Sequence, residues 1–322
     1  MSSEFRIRNT ETGRSSGKIE NTKSDDSSNP GESRDNIRDF DFKRSSVLGA
    51  AEATRQSVIN ENLKHYDAEN LKRVTSEDYA EKIQIENQKY FVENMKGTTE
   101  SDKPYILGYR NPASGEIRIK DSEDINRINH IATHEIMHDL SFNGNDVKSV
   151  RYADGQSMVS ETRYTDRCGI RTSEFTVKNV DGRDVEKRSA ECNRTLNEGI
   201  TENRTIQEMK KRGETPNFEC YQQNVQWAQI LEAKAGKDSI DKAYFGGDIQ
   251  SLSDKINNLS DDPKAWETLN YNMDQFSKLA RSSDMGDIAE ARECRERVDM
   301  MLAKMRSDGS GLNQYLQRRL GL

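Results

Sequence analysis

The segment His134-Glu135-Ile136-Met137-His138 constrains this chain more than any other. On a helix, residues four apart stand one turn above each other, so both imidazoles leave the same face. Two imidazoles on one face can hold a Zn²⁺ ion, and the intervening Glu135 can take a proton from water held by that ion. Such a helix must be largely buried, with neighbours that supply the remaining ligands. The residues before it agree. Ser122 or Asp124 can cap a helix start, and Ile125, Ile128, Ile131, Ala132 and Ile136 form an apolar side running to about Leu140. His130, one turn before His134, lacks an intervening glutamate in a ligand pair and reads as a packing or supporting residue.

A hairpin is expected just ahead of this helix. Tyr105 to Tyr109 reads as a strand, Asn111 to Gly115 as a turn, and Glu116 to Ile119 as the returning strand, with Ile117 and Ile119 on the buried side. Upstream, Val47, Leu48, Ala51, Val58, Leu63 and Tyr66 suit one amphipathic helix. Tyr79, Ile83, Ile85, Tyr90, Phe91 and Met95 suit another. Between Asn143 and Asn193 lie strand-like patches, clearest at Ser173–Val180 with a turn at Asp181-Gly182. Helices are predicted over about Thr195–Arg212, Phe218–Ala235 and Ser239–Phe245. Two more are marked by Trp266, Leu269, Met273, Phe276 and Ala280, then by Ile288, Ala291, Val298, Met301 and Met305.

Hydrophobic residues make up only 32% of the 322, against 33% charged, so part of the chain should lie outside any core. Residues 1–40 are the obvious part: a polar leader, either a disordered tail or a delivery signal for a specialised secretion machine. A net charge of −7 with interspersed signs argues against nucleic acid as a partner. No apolar run suits membrane insertion or a secretory signal, which points to the bacterial cytoplasm or to export by a specialised system. Cys168, Cys192, Cys220 and Cys294 form no C-x-x-C pair. Cys168 and Cys192 flank one strand-rich stretch and could pair under oxidising conditions, with reduced thiols the default.

A catalytic zinc usually takes three protein ligands, and no histidine follows His138. That excludes the enzymes whose third ligand is a histidine shortly after the motif. Downstream, Asn197-Glu198-Gly199-Ile200-Thr201-Glu202 stands out. It resembles the second signature of the gluzincins, the zinc metallopeptidases that include the thermolysin family, with Thr for Ser and Glu for Asp. The resemblance covers about a third of the chain and implies Glu198 as third ligand and Glu202 as the acid that orients His134. Glu198 and Glu202 share one helical face, so one can reach the ion while the other accepts an imidazole N–H. The long gap between His138 and Glu198 implies an insertion over about 143–193.

The fold implied is α+β and mostly helical. A zincin-like core (residues 41–250) carries a small antiparallel sheet before the active-site helix, and a helical region (251–322) follows. The function implied is a zinc endopeptidase with one Zn²⁺, Glu135 as general base, and a protein or peptide substrate added to the hairpin's edge strand. Tyr221 is the candidate donor to the developing oxyanion. A catalytically inactive binding or regulatory protein on the same fold is the alternative, and the oligomeric state is left open.

Overall fold

Helix α1 (Arg34–Asn62) opens the described part of this computed structural model, which covers residues 34–86, 91, 107–111, 115–154, 156–216 and 221–308. It begins inside the span assigned to the polar leader. Val47, Ala51 and Val58 recur at helical spacing and are fully or almost fully buried, so the apolar stripe downstream carries the helix. After a short α2 (Ala68–Val74), a 3₁₀ turn over Tyr79–Lys82 leads into strand β1 (Ile83–Glu86).

This strand corrects the helix expected over Tyr79 to Met95. Ile83-Gln84-Ile85-Glu86 alternates, and β-branched residues in alternation suit a half-buried strand. Within that span Phe91 is helical and fully buried, while Tyr90 and Met95 lie outside the described residues. The hairpin is present as β2 (Gly108–Arg110) and β3 (Ile117–Lys120). β3 is central: β2 pairs with it antiparallel, Gly108 opposite Ile119, and β1 pairs parallel, Ile83 opposite Ile117. The small sheet is therefore mixed rather than antiparallel. Tyr105 and Ile106 lie outside the described residues.

The motif helix is α3 (Ile125–Leu140), capped by Asp124, whose carboxylate accepts the backbone N–H groups of Asn126 and Arg127. Residues 143–192 then form a four-stranded antiparallel meander, β4 (Asn143–Asp154), β5 (Ser157–Cys168), β6 (Arg171–Val180) and β7 (Arg183–Cys192). Asp181 (φ 48°) and Gly182 (φ 83°) make the expected turn between β6 and β7, the two-residue hairpin geometry with both dihedrals positive. Among the described residues, no helix backs most of this sheet: Val147, Val150, Tyr152 and Met158 are exposed. Cys168, Cys192 and Cys294 are free thiols, and Cys220 lies outside the described residues.

Six helices follow among the described residues: α4 (Arg194–Lys211), α5 (Gln222–Ala235), α6 (Lys237–Gly246), α7 (Ile249–Ser260), α8 (Ala265–Leu279) and α9 (Met285–Lys304). α5 is described from Gln222, with Tyr221 before it in a left-handed backbone (φ 61°), and Phe218, where the helix was expected to begin, lies outside the described residues. One buried cluster runs from Val47 through Ile136, Leu196, Trp227, Tyr244 and Trp266 to Met305. Among the described residues, no helix is long and apolar enough to cross a membrane.

Candidate metal centre

Two helices build the site. α3 carries His130, His134 and His138 on one face and α4 carries Glu198 and Glu202, with α3 and α4 packed together. Glycine at 199 permits the next packing layer. A methyl group there would sit 2.7 Å from the carbonyl carbon of Asn224 on α5 and nearer still to its oxygen. The poor helix former beside Glu198 is thus what lets α5 approach α4. Arg204, buried on α4, ties the layers together. Its guanidinium lies 2.6 Å from Glu232 on α5 and 2.7 Å from Asp241 on α6.

His134 Nε2 lies 3.3 Å from Glu198 Oε2, and His138 Nε2 lies 3.2 Å from the same oxygen. The two rings stand edge to face with centroids 4.9 Å apart. One donor atom from each of His134, His138 and Glu198 falls within 4.8 Å of the others, so the group could hold a metal ion. Glu202 Oε2 lies 2.8 Å from His134 Nδ1, the contact the resemblance implied. Its other oxygen lies 2.7 Å from His130 Nε2, so one buried carboxylate serves two histidines.

The proton inventory tests whether these residues suit a cation. Glu202 is held down at about 2; burial opposes its charge, but His130 and His134 outweigh burial. Being ionised, it only accepts, so His134 presents Nδ1–H to it and turns Nε2 toward Glu198. Burial alone would strip the imidazoles of charge, yet Glu198 raises His138 to about 9, and Glu198 and Glu202 hold His134 well above its ordinary value. Glu198 is pulled well below the carboxylate range by the same two rings, again against burial. The group is thus arranged around positive charge at one point, and two protons or one divalent ion can supply it. Two imidazoles and a carboxylate are a donor set suited to Zn²⁺.

Glu135 packs against the small sheet and feels the charges of His134, His138 and Glu198. Gly108 on β2 is what fits there: a methyl group would lie 2.6 Å from Ile131 Cγ2 and 3.0 Å from Glu135 Cγ. Burial raises the Glu135 carboxyl above its usual value, and the two histidines only partly counter this. One turn on, Asp139 is buried between Arg110 of β2 (2.6 Å) and Arg73 of α2 (3.2 Å). These ion pairs fasten β2 to the motif helix. Tyr221 stacks on His134, its ring centroid 5.5 Å away and the planes 7° apart.

All the residues singled out from the sequence, His134, Glu135, His138, Glu198, Glu202 and Tyr221, therefore gather at one place. Sequence reasoning missed the bond of His130 to Glu202, for which its position one turn before His134 was a signal. It also missed Asn197, whose side-chain oxygen accepts the backbone N–H of Ile170 and pins the β5–β6 turn to α4. Comparison with known protein families, curated proteins and solved structures gives no match for this chain.

Proposed function

We propose that this chain is a zinc-dependent endopeptidase on a zincin-like, gluzincin-type core, with His134, His138 and Glu198 as ligands and Glu135 as general base. The observation that carries the reading is the meeting of three ligand atoms from two helices beside a buried glutamate of raised proton affinity. A bound Zn²⁺ would act as a Lewis acid, polarising a water molecule and a peptide carbonyl. Glu135 takes the proton of the attacking water and passes one to the leaving amine, work that suits a carboxylate whose proton affinity burial raises. Glu202 keeps His134 in one tautomer and orientation. An extended substrate adds to the outer edge of β2, the strand that Gly108 lets pack directly against Ile131 and Glu135 of the motif helix. Tyr221, stacked on His134, supplies a hydroxyl to the oxyanion.

The test pairs metal analysis with a digest. Wild-type protein and Glu135→Gln are loaded with zinc and incubated with a proteome-derived peptide library, and new termini are read by mass spectrometry. The expected result is one zinc per chain in both and cleavage by wild type alone. Failure to hold zinc overturns the metal site. Cleavage by Glu135→Gln overturns the general base. Zinc without cleavage in either protein identifies the binding-protein alternative.

A further inference from the structure

An imidazole can offer a lone pair to a metal through one nitrogen only if its proton sits on the other. For His134 the ionised Glu202 settles the matter. The His138 ring instead hydrogen-bonds the Cys168 thiol, which gives its own proton to the His138 backbone carbonyl oxygen, 3.6 Å away. Nδ1 of His138 lies 3.3 Å from Thr201 Oγ1, and a hydroxyl can donate or accept. The other neighbours of Thr201 decide which. Its Oγ1 lies 2.8 Å from the carbonyl oxygen of Asn197, one turn back, which can only accept and so takes the hydroxyl proton. On another side, 2.7 Å away, stands the hydroxyl of Tyr244. Burial holds that phenol well above its usual range, so it stays protonated and able to donate. A threonine oxygen has one proton and two lone pairs. With the proton on Asn197 and one lone pair filled by Tyr244, the place left for His138 is a lone pair.

We propose that Thr201 and Tyr244 form a buried hydroxyl relay that holds His138 as the Nδ1–H tautomer and aims its Nε2 lone pair at the point shared with His134 and Glu198. Thr201 and Tyr244 are each fully buried, so water does not replace either hydroxyl. The carbonyl oxygen of Met137 on the motif helix, 3.3 Å from the Tyr244 hydroxyl, is a second acceptor for the same phenol proton. With that proton on Met137, Thr201 gives its own to Asn197 or Tyr244, and His138 still meets a threonine lone pair. The two histidines are thus oriented by different chemistries: His134 by a carboxylate, His138 by a neutral hydroxyl chain. That difference avoids a third carboxylate, whose charge would have to be desolvated in the same site. Thr201 is a positioning residue, and Tyr244 acts through it.

The relay's link to metal affinity rests on the metal-site reading; the tautomer does not. With only four histidines in the chain, long-range ¹H–¹⁵N spectra of ¹⁵N-histidine protein resolve each ring. His138 should carry its proton on Nδ1 in zinc-loaded protein, and also in metal-free protein above its raised value of about 9. Thr201→Val keeps the shape but removes the hydroxyl, and should weaken zinc binding by about 10–100-fold in a chelator competition. Thr201→Ser should stay close to wild type, and Tyr244→Phe should lose less than Thr201→Val. A His138 proton on Nε2 in metal-free alkaline protein, or wild-type zinc affinity in Thr201→Val, overturns the relay. So does Thr201→Ser falling as far as Thr201→Val, which would assign the effect to packing. If wild type takes up no zinc, the metal site falls, and the alkaline tautomer still decides the relay. If Thr201→Val does not fold, the wild-type tautomer decides it alone.

Discussion

Gly199→Ala sets a local gain against a tertiary loss. In an isolated helix alanine is favoured over glycine by about 1 kcal/mol. Here the added methyl meets the backbone of Asn224, at 2.7 Å from its carbonyl carbon. That backbone belongs to α5 and has no rotamer to change, so one helix must move against the other. Overpacking of this kind costs about 1–3 kcal/mol, with the upper part of the range appropriate where the obstacle is main chain. The net expectation is a loss of roughly 1–2 kcal/mol and a melting temperature lower by a few degrees. Glu198 is the adjacent residue, so α4 should also carry the carboxylate out of register with the two histidines and weaken zinc binding. Differential scanning calorimetry of the metal-free protein and a chelator competition measure the two effects. A Gly199→Ala protein as stable as wild type, or more stable, would refute the close-approach argument, because an unconstrained helical glycine gives that result.

Other expectations concern charge. In the metal-free protein the raised His138 contributes stability that is complete below about pH 6.5 and lost as pH rises through about 9, and His134, also raised, acts in the same direction. Glu202 is depressed, so its contribution is present above about pH 4.5 and lost as pH falls toward about 2. Urea denaturation across pH should therefore show the site's contribution greatest between those limits, and saturating zinc should remove the alkaline decline; an alkaline decline of equal size with zinc present would contradict it. Zinc binding at neutral pH should release about two protons, read by calorimetry in buffers of different ionisation enthalpy. Glu202→Gln places an amide between two imidazoles and leaves one without its acceptor, so zinc affinity should fall by about 10–100-fold; an unchanged affinity would remove Glu202 from the site. Arg110→Met leaves Asp139 buried with Arg73 alone, for a loss of about 3 kcal/mol or less in urea, and adding Asp139→Asn should recover part of it.

The elements legible in the sequence are those whose signals are local. Asp124 caps the motif helix with its own side chain, and the Asp181-Gly182 turn needs only its own two dihedrals. Strand β1 was hidden because its pairing partner, β3, lies over thirty residues away, and Ile83 and Ile85 also fit a helical stripe. The meander was legible in one arm only. A sheet wet on both faces has no reason to alternate polar with apolar residues, and β4 does not. Helix α7 falls in the region expected to be helical but was not delimited there, although Leu252, Ile256 and Leu259 stand at helical spacing. At the metal centre, Glu198 and Glu202 were readable because the ligand motif runs along one helix. Tyr244 was not, since helix packing alone brings it to Thr201 across more than forty residues.

The meander also changes the chain statistics of the candidate metal centre. Glu198 follows His138 by sixty residues, and closing a flexible loop of that length would cost about 3–4 kcal/mol in configurational entropy alone. The meander returns the chain to its starting point by its own hydrogen bonds. Its first and last strands are three strand spacings apart, roughly 14 Å. An ion joining His138 to Glu198 would therefore close an effective loop of about a dozen residues plus the width of the sheet, and less of its binding energy would be consumed in gathering the chain.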